Sequence, residues 1–264
     1  MPTSRPPSGD AGGAAGGQYP SPSMGNPPVQ GFSRYDDFTR LGSAGNYGET
    51  GLALSLIGAT SPTLALQTPT TNRESGILRI STGTVTANEG TALGLPVAVY
   101  GAGPSIGMVY ICKVRATSTS AIEVWSGFAG SAARVHVAST VEFIGFRALG
   151  GTGTPWQGVV KNSGGETTVD MFSSITIGTD WVTLGFRYLV KRSRNTAPIA
   201  YGVQFFTVDG DTDLSAIETD VGDLVTTSLP TGALLHLPLG IVTTDGSDKS
   251  AEIDFYSVGG KSRR

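Results

Sequence analysis

The chain has little cysteine, histidine or charge. Cys112 is the only cysteine, so no disulfide can form within the chain, and a scaffold held by disulfides is excluded. His136 and His236 are the only histidines, too few beside one cysteine for most zinc sites. We expect Cys112 to be a buried structural thiol and both histidines to be structural. Only 15% of the residues are charged, and the net charge of −3 argues against a nucleic-acid-binding protein.

Long apolar runs are also absent. No uninterrupted apolar stretch reaches the roughly 18 residues that a membrane span needs. The amino terminus lacks the apolar segment behind a basic start that marks a signal peptide. We therefore expect no membrane and no nucleic acid among the partners, and synthesis in the cytoplasm.

Glycine is abundant instead, at 38 of 264 residues, which is roughly double the usual share of about 7%. Valine, isoleucine, threonine and aromatic residues fill the apolar runs, and glycine or proline interrupts them at short intervals. Beyond residue 73, such runs recur about every 8 to 15 residues with turn residues between them. This spacing predicts an all-β fold, with two antiparallel sheets packed as a sandwich.

The chain is predicted to have three parts, with the limits of the middle part taken from the family resemblance described below. Residues 1–34 are predicted to form an extended arm, residues 35–258 the sandwich, and residues 259–264 a basic tail. Residues 1–31 hold seven glycines and seven prolines, with only Arg5 and Asp10 charged. Such a segment buries too little apolar surface to offset its ordering entropy by itself. We expect the arm to lie extended across a neighbouring subunit, the alternative being that it folds back on its own domain.

Five segments in the second half of the chain carry a resemblance to a known family. They are residues 180–188, residues 201–210 ending on Asp-Gly, the Leu-Pro-Thr segment 229–231, residues 238–242 and residues 252–258. Their order resembles the closing half of the concanavalin A-like (lectin/glucanase) jelly-roll domains of tailed-bacteriophage virion structural proteins. The resemblance extends more weakly over residues 35–258. It implies a two-sheet jelly roll and a virion component, without a shared active site.

Within that context we expect a capsid decoration or cement protein, made in the host cytoplasm and located on the capsid surface. Its partners would be the major capsid protein and further copies of itself, as a homodimer or homotrimer. The expected partner-binding residues lie in the arm and in a basic turn: Arg5, Pro6, Pro7, Tyr19, Pro20, Pro27, Pro28, Phe32, Lys191, Arg192 and Arg194. The alternative is a tail or head-fibre module that binds host glycans through an exposed Trp156, or a minor tail or baseplate component.

Because the resembling family includes glucanases, a hydrolase is a further possible function. Their retaining mechanism needs two carboxylates on one strand, in a Glu-x-Asp-x-Glu or Glu-x-Asp-x-x-Glu pattern. Here Glu252 and Asp254 match the first two acids, but Tyr256 or Ser257 replaces the acid/base. We therefore expect no enzymatic activity, and we expect Glu252 and Asp254 to be outward-facing charges at a sheet edge.

An acidic segment invites comparison with a calcium loop. Asp209, Asp211 and Asp213 alternate, but Leu214 stands at the sixth loop position instead of glycine, and Asp220 stands at the twelfth instead of glutamate. We therefore expect no metal or cofactor. In this interpretation Asp-Gly 209–210 is a hairpin turn, and residues 211–223 form a solvated acidic loop. Trp181 is expected in the core.

Overall fold

The structure is a computed structural model, and it describes residues 31–36, 38, 52–58, 62–67, 76–83, 85–94, 100–101, 107–118, 120–150, 153–170, 175–191, 199–208 and 218–261. These residues form sixteen strands and no helix. The first eight strands are β1 Gly31–Asp36, β2 Ala53–Ile57, β3 Thr63–Gln67, β4 Ile77–Ser81, β5 Gly90–Gly94, β6 Tyr100–Gly101, β7 Met108–Ala116 and β8 Ile122–Ala129. The others are β9 Phe143–Leu149, β10 Gln157–Asn162, β11 Gly165–Asp170, β12 Val182–Lys191, β13 Ile199–Val208, β14 Glu218–Val225, β15 Ala233–Thr243 and β16 Ser250–Lys261.

The strands form two sheets. Sheet 1 has the order β14-β13-β12-β7-β16-β4-β3, and β1 also pairs with β16. Sheet 2 has the order β11-β10-β9-β8-β15-β5-β2, and β6 also pairs with β15. All the sheet pairings are antiparallel, as between β7 and β12 or β8 and β9. The predicted fold class, an all-β sandwich of two antiparallel sheets, is confirmed.

The core lies between the sheets and follows from the alternation of side chains along each strand. On β16, Ala251 and Ile253 are buried in this core, so Glu252 between them lies on the opposite face of the sheet. The same rule buries Tyr110 of β7 and Phe186 of β12 beside Phe128 of β8, with ring centroids 5.4 to 6.0 Å apart. Aromatic side chains from both sheets therefore close the sandwich.

Sheet 2 also buries apolar side chains on its outer face. Trp125 of β8 lies opposite Gly240 of β15, where a Cβ atom would collide with the indole ring. Glycine is needed here because it lets the indole lie against the strand backbone. The loop of residues 131–142, called the strap below, contributes Val135 to the same cluster, and Val135 is fully buried.

Several predictions about the fold can be compared directly with the strands. Cys112 is fully buried, and burial raises the pKa of its thiol to about 12, which confirms the structural thiol.

The predicted acidic loop 211–223 is wrong in its second part, because residues from 218 onward form β14 and pair with β13. The Asp-Gly turn and the alternating aspartates up to residue 213 lie outside the described residues. The strands run from Gly31 to Lys261, slightly beyond the predicted limits of the sandwich.

In the described part of the chain, no helix has the length and apolar character that a membrane span requires.

Candidate functional site

Charged side chains are buried on the outer faces of both sheets, away from the core between them. On sheet 1, Glu252 lies directly opposite Arg79 of β4 and Arg115 of β7, so that one row crosses three strands. Arg79 Nε donates to Glu252 Oε1 at 2.7 Å, and Arg115 Nε donates to Oε2 at 2.6 Å. The carboxylate is fully buried and has both oxygens engaged by guanidinium groups.

A second ion pair lies beside this row. Lys113 Nζ is 3.0 Å from Asp254 Oδ2, and both side chains are almost fully buried. Trp181 lies against the same cations, with Arg115 Cζ 4.4 Å and Lys113 Nζ 5.4 Å from the ring centroid. The predicted core position of Trp181 is therefore wrong, because its indole is partly exposed and packs against cations on the outer face.

The prediction that Glu252 and Asp254 are edge charges is also wrong. The alternation along β16 places them on the outer face, but β16 lies between β7 and β4 inside sheet 1. Their side chains are buried and paired with arginine or lysine. In this geometry the carboxylates link neighbouring strands.

The outer face of sheet 2 has its own charged cluster, which joins the sheet to the strap. Arg134 of the strap donates from Nε to Glu123 Oε2 at 2.6 Å and from Nη2 to Oε1 at 2.5 Å. This hydrogen bonding raises the pKa of Arg134 above its ordinary value. Arg134 Nη1 also donates to Asn88 Oδ1 at 2.9 Å.

The strap has a second attachment, at its centre. Lys161 Nζ donates to the backbone carbonyls of His136 and Val137, at 2.8 and 2.7 Å. Its ammonium group also lies 3.2 Å from Glu166 Oε2. Because the Lys161 side chain is almost fully buried, the strap carbonyls replace the water that would otherwise solvate it.

Glu166 is shared by two cations. Arg147 donates to it from Nη2 at 2.6 Å and from Nη1 at 2.9 Å, and the Arg147 side chain is only 1% exposed. Burial alone would raise the pKa of Glu166, but the hydrogen bonds and charges of Arg147, and then of Lys161, lower it below its usual value. Glu166 is thus held as an anion, and this cluster is a set of fixed charges.

The two histidines occupy different environments. His236 is fully buried in the core, where its ring lies 4.9 Å from Phe128 and 4.6 Å from Tyr256, as predicted for a structural histidine. His136 lies on the strap with 36% of its side chain exposed. The backbone N–H of Ala138 donates to its Nδ1, and its Nε2 is 3.7 Å from Glu123 Oε1. Among the described residues, no cluster of His, Cys, Asp and Glu is arranged to hold a metal ion.

Trp156 is 1% exposed, which contradicts its proposed role as an exposed sugar-binding aromatic. Its backbone N–H donates to the carbonyl of Ile175, and the N–H of Ile177 donates to the carbonyl of Thr154. These bonds, with an isolated bridge between Pro155 and Thr176, turn the indole into the core. The glycine-rich context of Trp156 indicated a turn, but the long-range bridge decides where the ring points.

The predicted attachment residues are placed only in part. Phe32 lies in β1, and Lys191 ends β12 opposite Ile199, the first residue of β13. Arg192 and Arg194 lie outside the described residues, as do the arm residues from Arg5 to Pro28. The pairing of β1 with β16 sets Gly31 directly opposite Lys261. The first residue of β1 and the last residue of β16 are therefore neighbours at one end of sheet 1.

Comparisons with known proteins give fold relatives only. No protein-family model matches the chain, and no curated protein matches it. A carbohydrate esterase from the Shiga toxin-encoding bacteriophage phi24B is similar at 13% identity and a TM-score of 0.45, covering 80% of this chain and 91% of the esterase chain. A lichenase from a mouse hindgut metagenome is similar at 14% identity and a TM-score of 0.48, covering 87% and 98% of the two chains. The endo-β-1,4-glucuronan lyase of Trichoderma reesei is similar at 8% identity and a TM-score of 0.48, covering 86% and 94%.

The two packed antiparallel sheets agree with the concanavalin A-like resemblance as a likeness of fold. One expectation from the sequence, that the chain is not an enzyme, is corrected. Enzymes are among the structures that resemble this sandwich, so neither the fold nor the missing second glutamate excludes enzymatic activity. The identities and TM-scores assign no particular activity or substrate to this chain.

Both charged clusters were missed in the sequence. Arg79, Arg115 and Glu252 are far apart in the chain, and no spacing rule connects them. One signal was available, since charged residues occupy positions within otherwise apolar strands, as Lys113 does between Cys112 and Val114. A charged side chain in such a strand is buried only together with an oppositely charged side chain. Its position therefore predicts that an ion pair exists, but it does not identify the second residue.

Proposed function

We propose that this chain is a structural component of a bacteriophage virion, and specifically a decoration protein that binds the major capsid protein of the assembled head. The observation that carries the proposal is the register of β1 on β16, where Gly31 lies opposite Lys261. It brings the root of the glycine- and proline-rich arm and the basic tail to one place on the sandwich. At this place, the backbone of the arm and the positive charge of the tail could contact the capsid together.

The chemistry of the two segments fits such an attachment. Residues 1–30 contain seven prolines and few apolar side chains, so in this proposal their backbone groups exchange hydrogen bonds with water for hydrogen bonds with the capsid surface. Lys261, Arg263 and Arg264 add positive charge to a chain whose net charge is −3. Exposed charge pairs contribute little energy each, but they orient a partner during association.

The charged outer faces support a role for the sandwich as a rigid body. Glu252 ties three strands of sheet 1 together, while Glu123 and Lys161 tie the strap to sheet 2. A rigid body that binds only the assembled shell stabilises that shell by mass action. We expect decorated capsids to resist heating better than undecorated ones.

The test uses empty expanded capsids assembled from the major capsid protein of the same genome. The full chain should bind them, and removal of residues 2–30 should weaken binding at least about tenfold, which corresponds to about 1.4 kcal/mol. A variant whose arm has the same composition in shuffled order is the matched control, and it should bind more tightly than the deletion, because the arm is proposed to act through its extended backbone. Replacing Lys261, Arg263 and Arg264 by serine should weaken binding less and reduce its dependence on salt.

Two results would contradict this proposal. One is undiminished binding by the arm deletion. The other is cryo-electron microscopy of virions that shows a few copies at the tail or the vertices, which would favour the adsorption alternative. That alternative now lacks its predicted aromatic platform, because Trp156 is buried.

A further inference from the structure

The sandwich has two long sides, and each is formed by the terminal strands of both sheets. β4 lies over β5 and β16 lies over β15, so among the described strands β3 and β2 end the two sheets on the same side. β14 and β11 end them on the other side, where a Cβ atom on Gly222 would lie 3.6 Å from Val169 Cγ1. We call the side of β2 and β3 the neutral edge and the side of β11 and β14 the acidic edge.

The acidic edge has two features that oppose pairing with a strand of another chain, namely negatively charged residues and irregular strand pairing. Besides Glu166, which is paired with Arg147 and Lys161, its two strands hold four acidic residues: Asp170, Glu218, Asp220 and Asp223. The pairing of β13 with β14 is also irregular in two places. Charge and bulges along a terminal strand oppose the addition of a further strand.

Strands β2 and β3 of the neutral edge lack both the charge and the irregular pairing. The sequences of β2 and β3, Ala-Leu-Ser-Leu-Ile and Thr-Leu-Ala-Leu-Gln, contain no charged residue and no proline. Their pairings with β5 and β4 run in unbroken register. The side chains of Thr63 and Ala65 are exposed on β3, and Leu56 on β2 is 55% exposed. Regular terminal strands of this kind are templates for strand addition.

We propose that the neutral edge is a homodimer interface, at which it pairs with the neutral edge of a second copy of this chain. A strand that pairs antiparallel with its own copy satisfies a two-fold axis, so the contact closes on itself. The acidic edge cannot make this contact, because like charges would face each other. Pairing the neutral edge with an acidic edge would build an open filament and would oppose a regular strand to an irregular one.

The second copy therefore adds strands to both sheets at the same side of the sandwich. Backbone hydrogen bonds supply the contact, and Leu56 loses its exposure to water. The proposal is independent of the virion assignment, because it concerns the purified chain alone. Its failure would leave the arm experiment unaffected, and the arm deletion should remain dimeric.

The experiment is sedimentation velocity of the full chain over a range of concentrations, with two lysine substitutions on the neutral edge. Leu56→Lys and Ala65→Lys each bring like charges together across the two-fold axis, so each should raise the dimer dissociation constant at least tenfold. Val221→Lys is the matched control, since Val221 is an apolar residue of β14 with 46% of its surface exposed. It should leave the dimer unchanged.

Thermal melting of each variant separates loss of dimer from loss of fold, since all three side chains are exposed and their replacement should preserve the fold. The proposal is supported if wild type and Val221→Lys are dimers while Leu56→Lys and Ala65→Lys are folded monomers. It is overturned if the wild type is monomeric at every concentration or forms a trimer. It is equally overturned if the neutral-edge variants stay dimeric, or if Val221→Lys is the variant that dissociates.

Discussion

The outer faces of the two sheets both bury charged side chains, but the charges join different parts of the molecule. On sheet 1, Glu252 is opposite Arg79 and Arg115 in the strand register, so the contacts connect strands to one another. On sheet 2, Arg134 and Lys161 connect a loop to the sheet. Buried ion pairs are weak evidence for stability, but their loss is costly when one charge is left behind.

The comparison shows that buried charges can select the strand register in addition to the hydrophobic pattern. A slip of β16 by one residue would turn Glu252 into the core and remove it from both arginines. The row across sheet 1 therefore discriminates against wrong registers. On sheet 2 the pair of Lys161 and Glu166 also follows the strand register, but Arg134 and the carbonyl groups bound by Lys161 belong to the strap. These strap contacts keep the strap over the apolar cluster around Trp125. Breaking the charged row on sheet 1 should lower the stability of the whole fold, and breaking the contacts of the strap should expose the strap to solvent.

The largest effect is expected from Asp254→Ala. This change removes the carboxylate 3.0 Å from Lys113 Nζ in a site where both side chains are almost fully buried. Breaking such a pair should lower the free energy of unfolding by about 3 to 5 kcal/mol. Urea denaturation measures it, with Asp223→Ala as the control, because Asp223 is exposed and its loss should change stability by about 0.5 kcal/mol or less. Equal effects of the two substitutions would contradict the assignment.

An intermediate effect is expected from Glu166→Gln. The variant leaves Arg147 and Lys161 beside a neutral amide, and because Glu166 is 13% exposed the loss should be about 2 kcal/mol near pH 7. The pKa of Glu166 is lowered in the folded state, so its stabilisation is complete above the ordinary glutamate pKa of about 4.3 and is lost as the pH falls through the lowered value. Chemical denaturation of wild type and variant at neutral and acidic pH should show the difference shrinking on acidification. A difference that grows would be incompatible with this account.

The smallest effect on global stability is expected from Arg134→Gln, which should change it by about 1 kcal/mol because Arg134 is partly exposed. The strap should respond more clearly than the fold, since the variant loses the two hydrogen bonds to Glu123. Hydrogen exchange of the amides in residues 131–142 should quicken, while exchange in β8 and β9 stays slow. His136→Gln is the control, because its Nε2 is 3.7 Å from the nearest oxygen of Glu123. It should leave the strap protected except at the amide of Ala138, which donates to His136 Nδ1. Unchanged exchange in Arg134→Gln would show that Lys161 alone holds the strap.

Local pattern allowed most of the strands to be predicted from the sequence. The apolar alternation at residues 252–258 lies in β16, and the aromatic run at residues 201–208 lies in β13. The errors lie where the pattern was weak or the partner was distant. The acidic composition of residues 218–223 indicated a loop, but pairing with β13 makes them part of a strand. Strand propensity depends on context, so a neighbouring strand can override it.

The candidate sites could be predicted much less well. Alternation placed Glu252 on the correct face, yet it carried no information on whether β16 is central or terminal. Trp181 and Trp156 were assigned to the wrong environments for a related reason, since each ring is positioned by residues distant in the chain. Contacts of this kind are set by which strands are neighbours in the sheet, and local periodicity does not encode that order.

The sequence by itself determined the all-β class, the single buried thiol and the contrast between the arm and the sandwich. These follow from composition and from a period of two residues, which are local properties. The tertiary structure alone decided that Glu252 meets two arginines, that Trp156 is buried and that residues 31 and 261 are opposite each other. Such pairings are long-range, and their physical cause is the strand order that lets both sheets bury their apolar faces at once.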